Sequence, residues 1–389
     1  MRPTERRFAE GSWQRVVRPV IVMGVMALMA ASGLSPAGKA RASTSVAPAL
    51  STSYNVHGAL YGVAAISPDN AWAVGATQSS AGVWKALLLH WNGRTWQRVA
   101  VPGGYGYSSG LSAVAAVSAT DVYAVGDIAN SADGQPLTLV LHWDGKSWRR
   151  VLKTVGFGAT AVAATPQQVW VATMTRGNFI EFLHLTGGRW YVVPVSQPAN
   201  PQLQPKAVTV VSPTLVFAGG IYFDKQGRDH DFLMRWNGSV WKITLQTPVQ
   251  GQSVWGMASG PDGVAWAVGQ KYGGDGNYAV SMHWSGKSWR AAPGPSPLFD
   301  TGGFDAVAFI PGGTAWAVGF ALTGDTLIAH WTRNAWTWVA APTPASCQPI
   351  LEGIAATSNR DAWTVGYCFG SETPPYMTEI LHWNGKTWS

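Results

Sequence analysis

Ala71-Trp72-Ala73-Val74-Gly75, followed after a loop by Leu87-Leu88-Leu89-His90-Trp91-Asn92-Gly93-Arg94-Thr95-Trp96, decides how this chain is read. The pattern returns six more times. Its first half recurs around Tyr123, Trp170, Phe217, Trp266, Trp316 and Trp363, at intervals of 51, 47, 47, 49, 50 and 47 residues. Its second half closes on Trp96, Trp148, Trp190, Trp241, Trp289, Trp336 and Trp388. The two series stay in step, so there are seven copies, and self-similarity at such a period marks a solenoid, a propeller or an array.

Each copy carries four strand signals. A short run of small apolar residues comes first, as in Val63-Ala64-Ala65-Ile66, Val114-Ala115-Ala116-Val117 and Ile354-Ala355-Ala356. A polar turn such as Ser67-Pro68-Asp69-Asn70 follows. The Ala-Trp-Ala-Val-Gly strand puts bulky side chains on one face and alanines on the other. The Leu-rich strand ends in His-Trp, and Asn92-Gly93, Asp144-Gly145, Asn237-Gly238 and Asn384-Gly385 then predict type I′ hairpin turns. The fourth strand starts near the last Trp. No helical period competes after the N-terminal segment.

Four strands in each of seven copies predict an all-β, seven-bladed β-propeller of antiparallel blades. The blades fall at about 54–102, 108–152, 157–196, 205–248, 253–293, 303–342 and 351–389. Of the 22 tryptophans, 18 occupy three repeated positions, which makes them packing residues between blades rather than ligand-stacking ones. The chain ends just after the Trp that opens the last fourth strand, so residues 44–48 are expected to complete the outer edge of blade 7 and close the ring.

Residues 1–42 read as a secretory signal peptide. Arg15 and Arg18 precede an apolar core from Val20 to Ala31, and Ala40-Arg41-Ala42 offers a cleavage site before the 43–389 propeller. The alternative is an uncleaved membrane anchor, although the apolar core is short for a span. The mature chain is then a secreted, monomeric protein with no stable membrane span. Seven of the 27 basic residues and two of the 20 acidic ones lie in 1–42, which leaves 20 against 18 in the rest. So balanced a chain carries no electrostatic footprint for nucleic acid. Cys347 and Cys368 map to one rim of blade 7 and are expected to pair, as an oxidising compartment allows.

The turns between first and second and between third and fourth strands are short in every copy. The other two connections vary, and a meander places them all on one rim. Diversity gathered on one face of a repeat array marks a binding face. That rim carries Tyr105, Tyr107, Tyr222, Tyr272, Tyr278 and Tyr376 with the acids Asp300 and Glu372. Rings beside carboxylates suit flat polar ligands such as glycans. The densest polar cluster, Asp224-Lys225-Gln226-Gly227-Arg228-Asp229-His230-Asp231, reads as a solvated loop. With Asp275 of blade 5, Asp224, Asp229 and Asp231 are also the candidates for carboxylate catalysis near the axis.

The Gly-x-[Ser/Thr]-Trp segments Gly93–Trp96, Gly145–Trp148, Gly286–Trp289 and Gly385–Trp388 resemble the Asp-box of secreted propellers, except that the Asp-box aspartate would fall at Trp91, Trp143, Trp284 and Trp383. The whole unit is similar to secreted bacterial propellers grouped with kelch and galactose-oxidase-like domains. That resemblance implies a fold and leaves activity open. Sialidases of the Asp-box type hold a carboxylate with three arginines, whereas only Arg176 and Arg228 map to the variable rim here. Copper oxidase chemistry lacks support, since both cysteines lie in blade 7. No metal motif, nucleotide loop or nucleophile elbow occurs, so no cofactor is expected.

The repeated histidines (His90, His142, His184, His283, His330 and His382) sit in six different blades and cannot converge on one substrate. They are expected to be structural, bonded across the hairpin to Thr95, Ser147, Ser288 and Thr387 in four of the blades. The leading expectation is a non-catalytic propeller that binds a glycan, a cell-envelope component or a protein partner on its variable rim. The alternative is a glycoside hydrolase or polysaccharide lyase.

Overall fold

The computed structural model describes residues 53–389 except 103–107, 130–135, 156–157, 176–178, 197–201, 224–228, 247–251, 261–262, 274–275, 293–301, 311–312, 333 and 371–375. The signal-peptide segment and residues 44–48 lie outside the described residues. Seven antiparallel sheets follow one another along the chain, each running in sequence order from an inner to an outer strand. Blade 1 is Gly58–Ser67, Asn70–Gln78, Trp84–Trp91 and Trp96–Arg98. The first strands of the other blades are Ser108–Ser118, Ala159–Thr165, Gln202–Ser212, Gln252–Ser259, Gly302–Ile310 and Cys347–Ser358. Each lies against the first strand of the next blade, and that of blade 7 returns to that of blade 1, so these seven strands enclose the axis.

The indoles explain why the blades stack. Trp363 of blade 7 inserts between Trp91 and Trp96 of blade 1, at 4.8 and 5.1 Å between ring centroids, edge-on to the second. Trp72 repeats this against Trp143 and Trp148 (5.2 and 5.1 Å), and Trp316 against Trp383 and Trp388 (5.2 and 5.3 Å). The three repeated positions therefore form one wedge per interface. Ala71 and Ala73 share the same cluster as Trp363, so small residues on one face receive the large ones opposite. Offset and edge-to-face ring pairs add to the area these side chains bury. The third-strand indole is also pinned within its own blade: the ring N–H of Trp91 donates to the Pro68 carbonyl at 2.9 Å, and that of Trp383 to the Asn359 carbonyl at 3.0 Å.

Two local expectations need correction. The hairpin turns are not type I′, because the Asn or Asp does not adopt positive φ; only the glycine does, at 86° for Gly93 and 88° for Gly145. Asn92 Oδ1 accepts from the backbone N–H groups of Arg94 and Thr95, both at 3.0 Å, and Asp144 does the same for Lys146 and Ser147. The side chain thus replaces a backbone acceptor. This moves the register by two residues, so His90 pairs with Gln97 rather than Thr95, and His142 with Arg149 rather than Ser147. The histidines bond instead to the residue that opens the second strand: His90 to Asn70 (3.0 Å), His142 to Asp121 (2.8 Å), His184 to Gln168 (3.0 Å) and His382 to Asp361 (2.7 Å). Their rings stack on the second-strand aromatic, for example on Trp72 at 4.2 Å and Trp170 at 3.8 Å.

Blade 7 has three continuous strands, and its outer edge is composite. Trp388 bridges Trp383, while His57 bridges Met377 further along the same edge. The Thr378 N–H donates to the Val56 carbonyl at 3.0 Å, and its hydroxyl bonds the Tyr54 carbonyl. In blade 6 the corresponding Thr326 bonds Pro342 and Thr343 of its own blade. Tyr54–His57 thus serves the edge of blade 7 that blade 6 completes from its own chain.

Candidate functional site

Every first strand breaks register against the second strand once ahead of its midpoint; blades 1, 2, 4 and 7 break it again beside the turn, and the earlier break is the one common to all seven. The residues it skips are Tyr61, Ser112, Thr160, Lys206, Trp255, Asp305 and Glu352, one in each blade. A bulge frees a residue from the ladder and re-aims its side chain. Within a sheet whose faces both meet neighbouring blades, the freed direction is the axis. All seven residues are half-buried, and each follows a fully buried one. They lie in the part of each strand nearer its start, and the start of every first strand is at the variable rim.

The repeat glycine is what permits the bulge. A Cβ on Gly75 would stand 2.0 Å from the Ala59 carbonyl oxygen, and one on Gly366 equally close to that of Ile350. The bulge pushes that carbonyl toward the second strand, where glycine leaves room for it in six of the blades. In blade 3 the glycine is replaced by Thr173, whose hydroxyl donates to the Gly158 carbonyl at 2.8 Å. Small residues after the bulge let the inner strands close in: a Cβ on Gly353 would lie 3.0 Å from the Gly62 Cα, and one on Gly256 2.8 Å from the Ala306 Cα.

The ring is chemically segregated. Tyr61, Ser112 and Thr160 supply three neighbouring hydroxyls. Lys206 and Trp255 follow, with the Lys206 Nζ 4.8 Å from the centre of the Trp255 ring, and the Trp255 N–H donates to Ser253 Oγ at 2.7 Å. Asp305 and Glu352 complete the circle beside Tyr61. Burial draws the Lys206 amine down to about 8, opposed by the Glu352 carboxylate. Burial pushes Glu352 up to about 7, opposed by Lys206. Asp305 is raised well above the carboxylate range, first by burial and then by Glu352. Lys206 and Glu352 belong to blades 4 and 7, which share no interface, so they feel each other through the channel. The side chains keep some surface on the channel, yet protein surrounds them on every side, and that enclosure is why desolvation dominates. Tyr367, on the second strand of blade 7, is buried under the acidic side; its phenol is raised by burial and then by Glu352, Tyr61, Asp305 and Tyr376.

Of the residues singled out on the rim, Tyr105, Tyr107, Asp224, Arg228, Asp275, Asp300 and Glu372 lie outside the described residues. Tyr222 is half-buried and stacks on His230 at 4.8 Å. Tyr376 is half-buried, with Tyr367 and Phe369 each 5.5 Å away. Tyr272 and Tyr278 belong to neighbouring strands that pair antiparallel in blade 5. The polar cluster of blade 4 is not a loop throughout: Asp229–Trp236 is a strand, and Asp231 is buried within it. Pairing with the second strand (Asp231 opposite Ile221) draws these residues into the sheet, two strands out from the axis. The cysteines pair as expected, with Cα atoms 5.5 Å apart. They join the start of the first strand to the second strand rather than two loops.

Sequence reasoning missed the axial ring. The signal was present in the aligned first strands: Leu60-Tyr61-Gly62, Leu111-Ser112-Ala113, Pro205-Lys206-Ala207, Phe304-Asp305-Ala306 and Leu351-Glu352-Gly353. One position differs in every copy, just before one that is always glycine or alanine.

No family model matches the chain, and no curated protein matches it in sequence. Solved structures match it as a propeller. An ulvan lyase of a polysaccharide lyase family is 8% identical, with 86% of this chain and 96% of that one covered and a TM-score of 0.57. The lectin BP39L from Burkholderia pseudomallei is 14% identical over 85% of this chain and 97% of its own, TM-score 0.55. The β-propeller domain of the Trilobed protease from Pyrococcus furiosus is 8% identical over 87% and 96%, TM-score 0.55. At these identities the similarity establishes the seven-bladed propeller fold and nothing finer.

Proposed function

We propose that this protein is a secreted carbohydrate-binding propeller, which takes its ligand at the variable-rim mouth of the central channel. The observation that carries the reading is the ring of seven bulged residues, each different, set below the rim that varies most. A concave site with an aromatic wall and a few convergent polar groups is the usual form of a small-ligand site. Rim residues such as Tyr222 and Tyr376 extend that mouth in this reading. The structural similarity to a lectin supports it. Among the described residues no helix is long and apolar enough to cross a membrane, and the disulfide agrees with an oxidising compartment.

A glycan array probed with the wild-type chain and with Trp255→Ala tests the reading. Binding to a defined glycan, weakened at least tenfold by Trp255→Ala, is the expected result. No glycan binding by a folded wild-type protein would overturn it.

The second reading, a polysaccharide-cleaving enzyme, is favoured by one observation. The carboxyls brought to the axis are Asp305 and Glu352, and both hold protons to higher pH than an ordinary carboxyl, as a general acid does. Release of new reducing or unsaturated ends from any array hit, lost in Glu352→Gln, would select this reading over simple binding.

A further inference from the structure

The axial charges do not balance. The ring holds two carboxyls, Asp305 and Glu352, and one ammonium, Lys206. That ammonium is already placed over Trp255, on the side of blades 4 and 5. The opposite side, formed by blades 6, 7 and 1, has both carboxyls and the phenol rings of Tyr61 and Tyr367, but no cation of its own among the ring positions. Without one, burial favours the protonated form of both carboxyls: Glu352 is pushed up to about 7, and Asp305 is raised well above its ordinary value. Carboxylates beside aromatic rings form a site for an ammonium group, through charge and through the ring faces. Lys206 on Trp255 shows the same chemistry within the same channel. The three remaining ring positions, Tyr61, Ser112 and Thr160, are all hydroxyls; Thr160 donates to the Ala172 carbonyl at 3.4 Å, which leaves its oxygen to accept from a polyol. The inner strands meet at glycine and alanine, so the ring is closed and opens to a ligand end-on at the rim.

Resting on the carbohydrate reading above, we propose that the axial channel receives the terminal residue of an amino-sugar chain, with its free primary ammonium held between Asp305 and Glu352 and its hydroxyls facing Tyr61, Ser112 and Thr160. The ligand supplies the missing positive charge, so binding releases the proton that the carboxyl pair shares. The groups that set this balance are Lys206, Asp305, Glu352, Tyr61, Tyr367 and Tyr376.

Isothermal titration of the full chain with three tetrasaccharides tests the assignment. They are a glucosamine tetramer with free amines, the same tetramer N-acetylated only on its non-reducing terminal residue, and the fully N-acetylated tetramer. The free tetramer is expected to bind at least tenfold more tightly than either of the others. At pH 6.5, titrations in two buffers of different ionisation heat are expected to show net proton release, which falls in Glu352→Gln and in Asp305→Asn along with affinity. Each variant removes a buried charge and keeps its shape, and thermal melting verifies its fold. Equal affinity for the fully N-acetylated tetramer would overturn the ammonium assignment while leaving glycan binding intact. Tight binding of the terminally blocked tetramer would overturn end-on recognition. If none of the three binds, the inference fails, and hits elsewhere on the glycan array would still sustain the broader reading.

Discussion

The interblade wedges and the axial ring come from the same repeat, yet they treat it in opposite ways. At the wedges the residue type recurs: Trp72, Trp170, Trp266, Trp316 and Trp363 hold equivalent places and are all nearly solvent-free. At the axis no residue type recurs, although the backbone feature that presents it occurs in all seven blades. The difference follows from what each position faces. A wedge residue meets another copy of the same repeat, so one shape solves the packing seven times. An axial residue meets a channel, where no packing partner dictates its identity and a ligand can.

The sharpest way to break this contrast is at the seam. Trp363→Ala removes the wedge between the last and first blades and is expected to cost about 3–5 kcal/mol, read by chemical denaturation. A loss below about 1 kcal/mol would mean that the seam is held by the composite edge at Tyr54–His57 instead.

A second test uses a wedge-level position at which blade 7 departs from blades 1, 2 and 6. Glu379 stands where blades 1, 2 and 6 have Leu87, Leu139 and Leu327. It is buried, its Oε2 has no hydrogen-bond partner among the described residues, and burial raises its carboxyl to about 7. The unfolded chain ionises near the ordinary Glu value, so folding opposes ionisation. The penalty is absent below about pH 4.5, grows as pH rises to about 7, and is constant above that. Glu379→Leu is therefore expected to stabilise by roughly 3 kcal/mol at pH 8, and by much less at pH 4.5. Equal effects at both pH values would show that packing, not ionisation, separates the two residues.

The smallest effect is expected at the axis. Ser112→Ala changes a channel-facing hydroxyl with no repeat partner and is expected to shift stability by less than about 0.5 kcal/mol. A larger loss would mean that the ring is part of the core.

The histidine series shows how far local reasoning reached. Its structural role was visible in its repetition. Its partner was not, because a single side-chain acceptor at Asn92 or Asp144 resets the hairpin by two residues, which changes every cross-strand neighbour while keeping each side chain on its face. The rim candidates met a similar limit. Asp231 reads as part of a polar loop because its neighbours are polar, but pairing with Ile221 carries it into the sheet.

Sequence alone determined the number of blades, the four strands in each, the tryptophan wedge and the cysteine pair, because each of these repeats or lies close along the chain. Only the tertiary structure decided the site. Tyr61, Lys206, Asp305 and Glu352 are separated by up to most of the chain's length, and nothing local relates them. They come together because seven first strands close into a ring and each bulges at the same level, which turns one variable position per repeat toward a shared axis.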